Sequence, residues 1–85
     1  MKWFVYIIET ESGKLYTGIT KDLKKRFDAH ASKGTGARFF RTSPPKRILY
    51  TETFENRSEA TKRELAIKKL SREMKLKLIN NDEKN

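Results

Sequence analysis

Eighty-five residues, 35% of them apolar, can build one small core and not two, and a chain without cysteine has neither a disulfide framework nor a thiolate metal site. A lone histidine excludes a multi-histidine zinc site, and the apolar run at residues 3–8 is far too short to cross a bilayer. The formal charge of +9 makes the chain strongly basic. With no cleavage-site pattern behind the apolar run, a soluble, cytoplasmic protein is expected. Residues 1–80 are expected to form a single domain, followed by a polar tail at 81–85.

Val5 to Ile8 and Leu15 to Ile19 read as two β-branched and aromatic strands, split by Glu9-Thr10-Glu11-Ser12-Gly13 into an antiparallel hairpin. Side chains alternate along a strand, so pairing residue 6 with residue 16 puts Tyr6, Tyr16 and Gly18 on one face. A register shifted by two keeps them there. Two phenols beside a position with no side chain leave room for a ligand or another backbone. The plainer reading is a half-buried face whose hydroxyls point to water.

A helix is expected from Thr20 to about Ser32, with Thr20 as its cap and Asp22 in its first turn. Leu23, Arg26, Phe27 and His30 fall at i, i+3, i+4 and i+7, on one face. Leu23 and Phe27 commit that face to the sheet. Arg26 and His30 share it, although Lys24, Lys25 and Asp28 show that solvent-facing positions were open. Each alone is explained by snorkelling at the edge of the stripe. Together, beside a tyrosine face, they mark a candidate site.

The charge is unevenly spread. Residues 1–20 carry none net, residues 21–47 carry +7 and residues 48–85 carry +2. This clustering suits a surface that meets a phosphate backbone, although membrane surfaces and acidic proteins attract such patches too, and a generic basic surface explains the sign but not the clustering. Residues 33–47 hold two glycines and two prolines, which rules out a continuous helix or strand there. Arg38 and Arg41 flank Phe39 and Phe40, a mixture that suits nucleic acid, although one Phe is expected to pin the loop to the core. Lys25, Arg38, Arg41, Lys46 and Arg47 are the candidate phosphate contacts.

Ile48 to Phe54 reads as a third strand, with Ile48, Tyr50 and Glu52 on one face and Leu49, Thr51 and Thr53 on the other. Asn56 is expected to cap a helix from about Arg57 to Leu70, with Glu59 closing a capping box. Ala60, Glu64 and Ile67 share its inner face, and Leu65 and Ala66 broaden the apolar surface. A carboxylate inside that stripe calls for an ion pair with Arg26, Arg63 or Lys68. Ser71 starts a last short helix with Met74, Leu76, Leu78 and Ile79 as its apolar residues, and residues 80–85 are expected to fray. The order β-β-α-β-α-α gives an α/β fold, a small three-stranded sheet flanked by helices. The direction of the third strand and the strand order stay open.

Phe4-Val5-Tyr6, then Tyr16-Thr17-Gly18 ten residues on, then Arg26 and His30, resembles the GIY-YIG nuclease family, in particular its short single-domain bacterial members. The likeness continues through Arg57-Ser58-Glu59-Ala60 and Arg63-Glu64 to Ile67-Lys68-Lys69-Leu70 and covers residues 2 to about 79. Phe4 stands where the first triplet has glycine, and Thr17 is the middle residue of the second. The resemblance implies metal-dependent endonuclease cleavage of DNA, structure-directed and serving repair or recombination. Tyr6, Tyr16, Arg26, His30 and Glu64 would be the catalytic set. It implies Glu64 as the ligand of Mg²⁺ (or Mn²⁺), Tyr6 as the group that activates water, and Arg26 as the offset to charge on phosphorus. Tyr16 would orient the nucleophile or Tyr6, and His30 would donate to phosphate or relay a proton. It also implies a nucleic-acid partner, DNA before RNA, together with weak sequence specificity, a branched or single-stranded preference, or a protein partner that brings the target. The competing reading is a non-catalytic nucleic-acid-binding module using the basic stretch 21–47. That module has no need of the carboxylate of Glu64, which would repel phosphate. A protein-interaction module using basic helices explains none of the tyrosines.

Overall fold

The computed structural model describes residues 2–31 and 44–84, the side chains of 29–31 and 82–84 excepted. The elements are β1 (Trp3–Thr10), β2 (Leu15–Thr20), α1 (Leu23–Ala31), β3 (Pro45–Phe54), α2 (Arg57–Lys68) and α3 (Arg72–Lys84). The order β-β-α-β-α-α is the expected one. The sheet runs β2-β1-β3 and is antiparallel throughout, which settles the direction of the third strand. No helix among the described residues is long and apolar enough to cross a membrane.

The hairpin turns at Gly13, whose φ of 86° lies in the left-handed region that glycine enters without a steric penalty. The Thr10 hydroxyl accepts from the Lys14 amide at 3.0 Å, and Arg72 of α3 donates to the Gly13 carbonyl at 2.7 Å. Pro45 opens β3, an edge strand whose first position tolerates a residue without an N–H. Strand structure therefore includes the last three residues of the stretch 33–47 that was expected to be loop.

β1 is the central strand and is buried on both faces. Val5 and Ile7 join Tyr50, Ala60, Ile67 and Ile79 in a core beneath α2 and α3. Tyr6 and Ile8 face the other way, against Tyr16, Leu23, Phe27 and Ile48. Strict alternation along the third strand fails. Ile7 pairs with Tyr50 and Ile8 with Ile48, so Leu49 is an extra residue in a bulge. The bulge turns Ile48 towards Tyr6 and Tyr50 towards Val5, onto opposite faces rather than one.

Helix starts depart from expectation once. Asp22, not Thr20, caps α1, accepting from the Lys25 amide at 3.0 Å. Thr20 is the last residue of β2, and its hydroxyl accepts from the Asp22 amide at 3.2 Å. The caps Asn56 and Ser71 are as expected, accepting from Glu59 at 2.9 Å and Met74 at 3.2 Å. Leu65 and Ala66 do not broaden the buried face of α2. Both are exposed, Leu65 by 53%, because Ala60 and Ile67 already fill the contact with the sheet. Met74 and Leu76 of α3 are likewise exposed, while Ile79 is buried. α3 continues to Lys84 instead of fraying from residue 80, since no glycine or proline interrupts it.

A polar cluster ties α2 to β3. The Tyr50 hydroxyl donates to Glu52, which also accepts from Arg63 Nε at 3.0 and 3.1 Å. Burial, then the hydrogen bond and charge of Glu52, push the Tyr50 phenol up to about 12 against the opposing pull of Arg63. Folded Tyr50 thus keeps its proton at a pH where the unfolded chain has lost it. Its contribution to stability is full below pH 10 and declines as pH rises towards about 12. Chemical denaturation across that window should show this decline, and Tyr50→Phe should make it shallower. An unchanged slope in Tyr50→Phe would remove Tyr50 from the account.

Thr17 lies opposite Ile7, buried, and its hydroxyl has no hydrogen-bond partner among the described residues. An unsatisfied buried hydroxyl costs about 1–3 kcal/mol, and valine has the same shape without it. Thr17→Val should raise Tm by roughly 4–8 °C or more. A fall in Tm would mean that the hydroxyl is paired in solution.

Candidate functional site

The site is built around the pairing of Tyr6 with Gly18 across β1 and β2. The register is shifted by two residues from a Tyr6–Tyr16 pair, and parity keeps both tyrosines on one face. The Tyr6 ring lies over Gly18. A Cβ at position 18 would stand 2.5 Å from the Tyr6 Oη, 2.7 Å from its Cζ and 3.2 Å from Tyr16 Cε1. The gap beside the phenols is therefore filled by the Tyr6 ring, and only glycine leaves room for it. Tyr16 sits diagonally across, its ring 6.3 Å from that of Tyr6 at 36°, within the range of a tilted aromatic pair.

Leu23 and Phe27 dock α1 onto this face, as their spacing requires. Arg26 leaves the packed stripe and is exposed, because a guanidinium stays in water unless it is paired inside, and among the described residues none pairs with it there. Its charge still reaches the Tyr6 phenol. The backbone of His30 belongs to α1, and its side chain lies outside the described residues. From α2, Glu64 shares the inner face with Ala60 and Ile67. Its side chain is only 15% exposed, with Lys68 Nζ 3.3 Å from Oε2 one turn on. Of the three ion-pair partners considered for it, Lys68 is the one it takes. Arg63 goes to Glu52 instead.

The three elements meet electrostatically at Tyr6, which is 2% exposed. Burial raises its pKa well above the ordinary phenol range. Tyr16 raises it further, Arg26 lowers it and Glu64 raises it. Tyr6 is thus a neutral phenol at neutral pH, inside the reach of one cation and one carboxylate.

The basic candidates are scattered. Lys25 is exposed on α1 next to Arg26. Lys46 and Arg47 are exposed at the end of β3 that pairs with Glu9 and Thr10, and Arg47 is engaged there with Glu9 at 2.9 Å. That end of the sheet is about 20 Å along β1 from Trp3. Arg38 and Arg41 lie outside the described residues. Trp3, Lys21 and Arg57, none of them a site candidate on the sequence, also come together. Lys21 Nζ lies 5.2 Å and the Arg57 guanidinium 5.8 Å from the Trp3 ring centre. A tryptophan opening the first strand, beside a basic helix start, was the available signal.

A sheet that presents two tyrosines over a glycine, with an arginine and a glutamate brought in from two helices, defines a class of protein. The model of the GIY-YIG catalytic domain matches residues 2–77, and the chain belongs to that family. The family is one of nucleases, which implies a nucleic-acid substrate. Among its relatives, a UPF0213 protein of Desulfotalea psychrophila is 48% identical over 82 residues, 96% of this chain and 74% of that one. The solution NMR structure of a UPF0213 protein from Bacillus halodurans matches with a TM-score of 0.60 and 39% identity, over 94% of this chain and 84% of that one. A second NMR structure, of a protein from E. faecalis, matches with a TM-score of 0.68 and 34% identity, over 100% of this chain and 90% of that one.

Gly18→Ala should cost roughly 1–3 kcal/mol in urea denaturation, because the added methyl drives into the Tyr6 ring. The cost should largely vanish when Tyr6 is already Ala, and a double-mutant cycle reads the coupling. Additive effects would show that the ring does not lie over position 18.

Proposed function

We propose that this chain is a metal-dependent endonuclease that hydrolyses phosphodiester bonds, in DNA more readily than in RNA. We take the cleavage to be directed by substrate structure, in the manner of repair or recombination nucleases. The observation that carries the reading is the buried Tyr6 phenol, packed over Gly18 beside Tyr16 and under the charges of Arg26 and Glu64 from two different helices. A module that only bound nucleic acid would have no need of a mostly buried carboxylate at that point.

Tyr6 is the proton acceptor for the attacking water. As a neutral phenol it orients the water through its oxygen, and it becomes a base only when the charges around it favour phenolate. Arg26 already pulls in that direction, and offsetting the charge of Glu64 removes one of the influences that oppose it. Tyr16 orients Tyr6 or the water. The exposed Arg26 presents a planar fork that matches phosphate and offsets charge developing on phosphorus. His30, one turn beyond Arg26 in α1, donates to phosphate or relays the proton. Lys25, with Arg38, Arg41, Lys46 and Arg47, holds more distant phosphates.

Glu64 would hold Mg²⁺ or Mn²⁺. The donor set fits a hard, hydrated ion, which needs one or two carboxylates and keeps most of its waters. Among the described residues no three His, Cys, Asp or Glu converge as a dehydrating site for zinc would need. When bound, such an ion supplies Lewis-acid neutralisation of the phosphate. Lys68, now paired with Glu64, would release it.

The test is cleavage of labelled duplex, single-stranded and branched DNA with Mg²⁺ or Mn²⁺, run beside binding. Glu64→Gln and Tyr6→Phe should each lose about 100-fold or more in cleavage and change binding by less than about 3-fold. The wild-type rate should climb with pH through the alkaline range, since Tyr6 must give up its proton. Wild-type cleavage by Glu64→Gln would sink the metal assignment. Binding without cleavage in every protein and with either ion would replace the nuclease by a binding module.

A further inference from the structure

Beside the candidate site lies an open groove of about 510 Å³ between Trp3 and the start of α1, lined also by Thr20, Lys21, Asp22, Lys25 and Arg26. Its volume is that of pockets that take small molecules or single groups of larger ones. One wall is the indole of Trp3, whose inner side packs against the core of Val5 and Ile7. The other walls carry Lys21, Lys25 and Arg26, all exposed, and among the described residues no carboxylate forms an ion pair with any of them. The one acid of the groove, Asp22, is committed through its carboxylate to the Lys25 amide as the cap of α1.

We propose that this groove takes an unpaired nucleotide of the substrate strand, the indole stacking on its base while Lys21, Lys25 and Arg26 meet the flanking phosphates. The inference rests on the nucleic-acid reading of the site and names the part of the substrate that must be single-stranded there. Cations alone would serve duplex and single strand alike, because both present phosphates. An aromatic wall adds something only for a base whose face is free, since stacking within a duplex hides it. Lys21 and Arg57 now lie over the ring at distances typical of cation–π contacts. At an exposed site such contacts are weak, so an arriving base displaces a cation from the ring and leaves it beside a phosphate. Arg26 lines this groove, so the side chain proposed to meet the scissile phosphate is also one of its walls.

Trp3 is the one tryptophan in the chain, so its fluorescence reports this groove alone. Titration of the full chain with dT10 or rU10 at low salt should quench it in step with the anisotropy of the labelled oligonucleotide. A duplex of the same length should bind without quenching. Trp3→Leu should weaken dT10 binding by about 5- to 100-fold with duplex binding changed less than about 2-fold, and Trp3→Phe should restore most of the loss. Lys21→Ala should reduce the salt slope of dT10 binding by about 0.7. Saturable binding of dT10 and rU10 without quenching would overturn the inference, as would equal loss of duplex and dT10 binding in Trp3→Leu. The wild-type titration keeps the test decisive if that variant folds poorly. If duplex is cut but neither oligonucleotide binds, the groove assignment fails and the nuclease reading stands. If dT10 quenches Trp3 and nothing is cut with either ion, the nuclease reading fails and the groove stands.

Discussion

The structure depends on β1 being buried on both of its faces at once. Val5 and Ile7 on one side, and Tyr6 and Ile8 on the other, are all at most 2% exposed. Burying apolar side chains of this size stabilises by about 1.5–3 kcal/mol each, a large share of what so small a chain can muster. The odd-numbered residues fix α2 and α3 to the sheet, and the even-numbered ones fix α1. A slip of one residue in pairing would exchange these sets and put a tyrosine hydroxyl among Ala60, Ile67 and Ile79. Register is therefore specified twice, by the apolar residues of one face and by the fit of Tyr6 over Gly18 on the other.

That same fit sets the chemistry available. A phenol on the central strand loses water on burial, and its ionisation becomes harder before any neighbouring charge is counted. Arg26 and Glu64 then act on it in opposite senses from two helices that pack on different faces of the sheet. Glu64 is held in its largely buried position because Ala60 and Ile67, one turn either side, are anchored in the core. The carboxylate is thus placed by packing, and Lys68 offsets its charge. An arrangement of this kind is tuned by whatever else brings positive charge to it.

The basic surface divides into engaged and disengaged cations. Arg47 pairs with Glu9, Arg63 with Glu52 and Lys68 with Glu64, so these charges serve the fold as much as a ligand. Lys21, Lys25 and Arg26 gather instead around an indole at the other end of the sheet from Arg47. The distinction is physical: a cation already paired with a carboxylate must give up that partner to meet a phosphate, and among the described residues these three have no such partner.

Much of this was legible because it is local. Period-two alternation places Tyr6, Tyr16 and Gly18 on one face in any even register, and the spacing of Ala60, Glu64 and Ile67 puts the carboxylate on the inner face of its helix. Asn56 and Ser71 announce their helices through bonds that span three residues. Other features depend on contacts between distant segments. The bulge that sends Ile48 and Tyr50 to opposite faces exists only against β1, and strand periodicity alone cannot reveal it. Arg26 belongs to the apolar stripe by spacing, yet it turns to water, and among the described residues no acid meets it inside. Leu65 and Ala66 look like core by type, but the sheet has room for one narrow face of α2. Asp22 displaced Thr20 as the cap once β2 extended to claim Thr20. The sequence by itself determined the elements, their order and the parity of the polar set, since these follow from periods of 2 and 3.6 and from capping chemistry. Tertiary structure alone decided strand order, the closeness of Tyr6 to Gly18 and the groove at Trp3, since each requires groups far apart in the chain to meet.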